Sequence, residues 1–417
     1  MYLMIKRVLF CLSFALIIFG CTDKENTLGI TQSDLYPIAG QINSITEQFT
    51  FRDEVSVNGE NYKLLVSNTE EVESQAIISF AYLPDNVESI TNASLTIYTD
   101  LKAPGDLELK FKRLEQDYLE ASATWEQAEE GQDWDSDLIF DSETPSMVLT
   151  DTIATSIDTL VFDLSEEEIL TWTQQDLSLL SFIIYTESDN YLEIYSSENS
   201  LNPKLKFTYV LNSETQEREY DRNAFKDTSI INDKQGADQT WSNTLEISNM
   251  LPKRSFLQFD VEPIDLINPF DEDLQDEDIT FRINHLTVNE AIIRLYFNKE
   301  ESSFFGDTRT ISLTAFRVKS EVTEPKIIDS DDMEYLINTG TSTKTIVSDV
   351  TTLDSIDVKI TPILQGFISG EKENFGIALR SNNQSRNFDA VKFYGMDADN
   401  EDLRPKVKFI YTLPIEE

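Results

Sequence analysis

The sequence predicts an all-β protein: two tandem antiparallel β-sandwiches behind an N-terminal address segment and a tether. Three observations predict it. Short runs alternate apolar and polar residues between Gly, Pro, Asn and Asp, which is the pattern of half-buried strands rather than of βαβ units. The order of those runs in the first half of the chain recurs in the second. Residues 1–20 stand apart as a basic start followed by an apolar run. The length of 417 residues accommodates two domains, at roughly 100–200 residues each.

Taken in order, Met1–Gly20 carries Lys6 and Arg7 and then an apolar run from Val8 to Phe19. This reads as a secretory signal peptide, too short to span a bilayer stably. Ile18-Phe19-Gly20-Cys21 resembles the lipobox of bacterial lipoproteins, although Phe19 is bulkier than that pattern usually holds. The resemblance implies that Cys21 is acylated; two or more acyl chains anchor stably where one is marginal. Thr22-Asp23-Lys24-Glu25 resembles the charged tags that route some lipoproteins outward, so the expected location is the outer membrane, lipid-anchored at the cell surface. Residues 21–45 keep no sustained period and read as a flexible tether.

The first sandwich is expected over residues 46–212, the second over 227–417, with the polar segment 213–226 as linker. Strand signals in the first are Leu95/Ile97, Leu107/Leu109/Phe111, Leu160/Phe162/Leu164, Leu180/Phe182/Ile184 and Leu205/Phe207/Tyr209. Their counterparts are Ile293/Leu295, Ile311/Leu313/Ala315, Ile356/Val358/Ile360, Phe375/Ile377/Leu379 and Val407/Phe409/Tyr411. Ser255–Asp260 matches the run that ends at Phe80, and Pro203-Lys204-Leu205-Lys206-Phe207 matches Pro405-Lys406-Val407-Lys408-Phe409. Only Leu164–Gln175 and Met333–Leu336 have helical character. The Tyr118–Trp125 segment has no evident counterpart after Arg317, so activity particular to this chain is expected there, on a loop carried by a rigid scaffold.

Composition narrows the function. A net charge of −43 repels nucleic acid and anionic lipid head groups, whose binding needs a basic face. The two cysteines, Cys11 and Cys21, both belong to the N-terminal segment, so the body has no thiol chemistry. One histidine, His285, argues against Ser-His-Asp or Cys-His catalysis and against multi-histidine metal centres. No pair among the 76 acidic residues is marked for glycoside hydrolysis, and the expectation is a protein that is not an enzyme. The acidic runs Asp133–Asp137, Asp271–Asp278, Asp329–Glu334 and Asp397–Asp402 offer hard oxygen donors to calcium, yet none has an EF-hand loop and no metal ligand is assigned.

Three features resemble the DNRLRE-type β-sandwich modules: Ala93–Tyr98, the aromatic-x-Glu…Thr-Trp signature at Tyr118, Glu120, Thr124 and Trp125, and the closing Arg404-Pro405-Lys406-Val407 run. That family usually has Trp where this chain has Tyr118. The resemblance implies a jelly-roll-like sandwich in a class that includes polysaccharide-binding modules; fold transfers more safely than ligand. Tyr118, Trp125 and Trp134 are the expected stacking platform for sugar rings, with Lys112 and Arg113 as hydrogen-bond donors to hydroxyls or uronic carboxylates. Each has a plainer reading, the aromatics as core and the cations as a solvated strand face. The functional expectation is non-catalytic polysaccharide binding at the cell surface. The alternative is a structural or adhesive lipoprotein, or an accessory subunit that contacts an outer-membrane protein.

Overall fold

The computed structural model describes residues 37–43, 45–53, 55, 59, 61–102, 105–150, 158–175, 179–234, 241–261, 285–303, 308–324, 326–347 and 349–412. The signal peptide, Cys21 and the acidic run 271–278 lie outside the described residues. The fold is all-β with antiparallel sheets. No helix among the described residues is long and apolar enough to cross a membrane.

In the first half, Leu107–Leu114, Leu179–Thr186, Val72–Ala81 and Lys226–Asp233 lie side by side. Lys63–Asn68 turns from Val72–Ala81 into a second row, through Tyr191–Tyr195 to Val87–Lys102, Lys204–Leu211 and Glu217–Asn223. Alternation sends Leu107, Leu109, Phe111, Phe80, Phe182, Ile184, Leu95, Ile97, Leu205 and Phe207 into one buried cluster between the rows. Ser165 caps the helix Glu166–Gln174 by accepting from the Glu168 amide, three glutamates fill its first turn, and its Trp172 joins that core.

In the second half, one sheet orders Ile38–Ile42, Lys406–Thr412, Thr287–Tyr296 and Ser355–Lys359. The other orders Trp241–Ser242, Ile45–Arg52, Lys253–Phe259, Ile377–Ser381 and Thr308–Val318. Leu257, Phe259, Leu313 and Leu379 of one sheet meet Ile293, Leu295, Val407 and Phe409 of the other in a single cluster. A helix, Thr361–Ile368, carries Pro362 in its first turn and occupies the place that Glu166–Gln174 has in the first half. Sequence patterning missed it, although proline in a first helical turn is a start signal. Met333–Leu336, expected to be helical, instead holds the short strand Met333–Glu334 after a 3-10 turn at Ser330–Asp332.

Strand pairing redraws the expected boundaries. Ile45–Arg52 pairs with Lys253–Phe259, and Ile38–Ile42 with Lys406–Thr412, so residues expected in the tether and the first sandwich complete the second half. Conversely, the expected linker contains the strand Glu217–Asn223, and Lys226–Asp233 pairs with Val72–Ala81. The two segments hold equivalent places beside equivalent strands. Polar composition hid this: an edge strand such as Glu217–Asn223 buries only Tyr220 and needs no apolar stripe.

The halves meet over Leu65, Val72, Ile231, Met250, Leu251 and Phe388, with Tyr191 stacked on Phe388 at 4.3 Å. Charges are buried beside that cluster. Glu193, wholly buried, takes Lys63 at 2.7 Å and Arg309 at 3.4 Å, and Arg309 also reaches Asp389 at 3.1 Å.

Candidate functional site

The segment from Glu115 to Leu138 leaves the end of Leu107–Leu114 and crosses the outer face of the first-half sheet, so it is called here the first flap. Alternation explains what it covers. Ile78 faces the main core while its neighbour Ile77 faces outward, and Ile77, Leu114, Ile183 and Ile230 receive Tyr118, Ala123 and Ala128 from the flap. With both faces covered, residues 76–81 of that strand are buried without a break.

Tyr118 is not a platform. It is 5% exposed, its hydroxyl lies 3.1 Å from Ser79 Oγ, and the Lys226 ammonium sits 4.1 Å from the centre of its ring. Burial pushes its phenol well above the ordinary value. Lys226 also donates to the Tyr118 carbonyl at 2.6 Å and pairs with Asp117. Trp134 is half-buried against Tyr118, and its indole N–H donates to the Thr124 carbonyl at 2.9 Å, closing the flap on itself. Trp125 is half-buried against the same small core.

The two expected cations do not converge. Lys112 shares the flap's sheet face but lies 4.8 Å over the Tyr185 ring. Arg113, one residue on, faces the other way, between Phe140 and Trp172, and pairs with Glu115 at 2.8 Å. A one-residue step along a strand reverses the side chain, so adjacent residues make a poor pair of ligand contacts.

What the structure brings together at Trp125 is a different set. A pocket of about 240 Å³ is lined by Ala123, Thr124, Trp125, Glu126, Ser229, Ile231, Asn232, Asp233 and Val55. Val55 and Asp233 also line a second pocket of about 640 Å³, whose other walls are Arg52, Asp53 and Ile327–Asp332. The two form a trough across the junction of the halves. Arg52, from the strand that completes the second half, bonds Asp233, from the strand that completes the first, at 2.7 Å. Asp53, another wall residue, pairs with the buried Arg254. Glu126, Asp329, Asp331 and Asp332 leave the walls acidic. The trough therefore offers an indole face, amide and hydroxyl groups and carboxylate acceptors, while Arg52, the cation among the described residues that line it, is paired with Asp233.

The 319–332 segment is the second half's flap. Leu114 pairs with Ile139 where Val318 pairs with Met333, and the Glu115 amide bonds the Leu138 carbonyl at 2.9 Å where that of Lys319 bonds Asp332 at 2.9 Å. The Tyr118–Trp125 region thus has a structural counterpart, contrary to the sequence expectation. Sequence comparison missed it because the second flap buries Ile328 and carries no tryptophan; Phe49 and Phe256, stacked at 4.5 Å, fill that space from the strands below.

One further cluster lies beneath the first flap. Glu120, Glu198 and Asp227 each place a carboxylate oxygen within 4.8 Å of the others.

No protein-family model and no curated protein matches the chain. Among solved structures, one similar over 89% of this chain is described as the M60 catalytic domain with the CBM51-1 and CBM51-2 domains from Clostridium perfringens ZmpB. Identity is 8%, the TM-score is 0.14 and the alignment spans 38% of that structure's length, a likeness too slight to bear on fold or function.

Proposed function

We propose that the chain is a cell-surface lipoprotein, anchored to the outer membrane through acylated Cys21, that binds polysaccharide without catalysis. It would do so with two tandem jelly-roll-like sandwiches of DNRLRE type. The observation that carries the binding reading is Trp125, whose half-buried indole lines a pocket of mixed polar and apolar walls in the trough between the halves. A pyranose ring presents C–H groups that stack on such a face while its hydroxyls need acceptors and donors, here Asn232, Asp233 and Glu126. The acidic walls favour a neutral glycan over a uronic-acid polymer, which replaces the ligand that Lys112 and Arg113 suggested.

The test is calorimetric titration of the purified chain with neutral and acidic polysaccharides. Binding of a neutral glycan is expected, weakened about tenfold by Trp125→Ala, or roughly 1.4 kcal/mol, and unchanged by Lys112→Ala. No binding at millimolar sugar, or binding indifferent to Trp125, would overturn the reading. The rival, an adhesive or accessory role beside an outer-membrane protein, is favoured by Tyr82 and Phe225, which are 77% and 55% exposed and pack edge to face at 6.1 Å. A co-purifying protein retained by Trp125→Ala would side with it.

A further inference from the structure

We infer that Glu120, Glu198 and Asp227 form a calcium site that pins the first flap to the body of the protein. The three come from separate parts of the fold: Glu120 from the flap, Glu198 from the turn after Tyr191–Tyr195, and Asp227 from the strand Lys226–Asp233. Asp227 is 1% exposed, and its Oδ1 has no hydrogen-bond partner, while Oδ2 accepts from the Ser197 amide at 2.6 Å. A buried carboxylate oxygen left without a donor is costly, and two more carboxylates within 4.8 Å raise that cost.

The surrounding contacts hold the cluster in place. The Asp227 amide donates to Glu120 Oε1 at 2.9 Å, which brings the flap to the strand. Gly59 presses on the other side of Glu120: a Cβ there would lie 1.9 Å from the Glu120 carbonyl oxygen, so only glycine fits. Lys226, the adjacent cation, turns its ammonium toward Asp117 and the Tyr118 carbonyl.

The donor set selects the ion. All three ligands are carboxylates drawn from separate segments, and Glu198 is exposed, leaving that side open to water. Calcium accepts six to eight oxygens in flexible geometry, whereas magnesium demands a near-ideal octahedron and keeps most of its water. Zinc seeks nitrogen or sulfur, and the cluster has neither. Glu120 belongs to the same signature as Tyr118, Thr124 and Trp125, so the ion would fix the segment that carries the indole.

The test is titration of the EDTA-treated full chain with calcium chloride, with magnesium as control, followed by thermal melting. One saturable calcium site is expected, with a melting temperature raised by roughly 5–10 °C at a hundredfold excess over Kd. Glu198→Gln, at an exposed position, should not lower the EDTA melting temperature and should weaken calcium binding by about tenfold or more, because ligand charge sets affinity. Asp227→Asn, which relieves the repulsion, should melt higher than the parent in EDTA and gain nothing from calcium. Equal melting in EDTA and calcium, or a site unaffected by Glu198→Gln, would overturn the assignment.

Discussion

The two halves are layered alike and closed differently. The first is completed by Glu217–Asn223 and Lys226–Asp233, which follow directly from its own last long strand through a hairpin. The second is completed by Ile38–Ile42 and Ile45–Arg52, which come from before the first half begins. Each repeat, taken as a stretch of sequence, is thus one strand pair short, and the missing pair is supplied from outside it. What recurs in the sequence and what packs as a unit are offset by about two strands. The second half must therefore close a loop that contains the whole first half, at an entropic cost that grows only slowly with loop length.

Removing residues 38–52 should break this comparison most sharply. Hydrogen exchange is expected to show lost protection in Lys253–Phe259 and Lys406–Thr412, with Phe256 and Phe409 uncovered, while Val72–Ala81 and Lys204–Leu211 stay protected. Equal loss in both halves would mean that they fold as one unit.

A smaller effect is expected at Gly40. It pairs with Phe409 as Tyr220 pairs with Phe207 in the first half, but the fillings are reversed. Tyr220 stacks on Phe207 at 4.6 Å, whereas at Gly40 the Phe409 ring occupies the space, 2.4 Å from where a Cβ would stand. Gly40→Ala should cost about 1–3 kcal/mol by overpacking, measured by equilibrium denaturation. A neutral result would show that the ring can swing aside.

An effect of similar size, but dependent on pH, concerns the junction. Burial pushes the Asp389 carboxyl up to about 6, against Arg309, which lowers it, and with Glu193 raising it further; Lys63 also faces the group. An unfolded aspartate titrates at about 3.9, so the folded chain holds this proton more tightly. The resulting stability is complete below about pH 4 and is lost as pH rises to about 6. Asp389→Asn should remove that downward slope, worth about 1–3 kcal/mol between pH 4 and 7. An unchanged slope in parallel denaturations would assign the proton elsewhere.

Much of the scaffold is legible in the sequence, because a strand with one face on a core must alternate. Leu95 and Ile97, Leu107 to Phe111, and Val407 to Phe409 all fall where their period puts them. The closing strands were harder. Ile38–Ile42 has a weak stripe around Gly40, and Glu217–Asn223 buries a single tyrosine, so neither leaves a signal in composition. The candidate site was legible only in part. Trp125 and Trp134 stand out as rare residues, but Asn232, Asp233 and Arg52 are ordinary polar residues that become neighbours only through the strand exchange. Glu120 stands in the Tyr118–Trp125 signature, but its meeting with Glu198 and Asp227 leaves no mark in the sequence, since no acidic run contains all three.

The antiparallel pairing of Ile38 with Tyr411 also sets how the molecule bears load. Residues 37 and 412 emerge side by side at the same end of one ladder. A pull that separates them opens the hydrogen bonds of that ladder one at a time, as a zip, rather than shearing them together. The strand pair that completes the second half is then its mechanical fuse: traction at residue 37 would release Ile38–Ile42 before it reached either core.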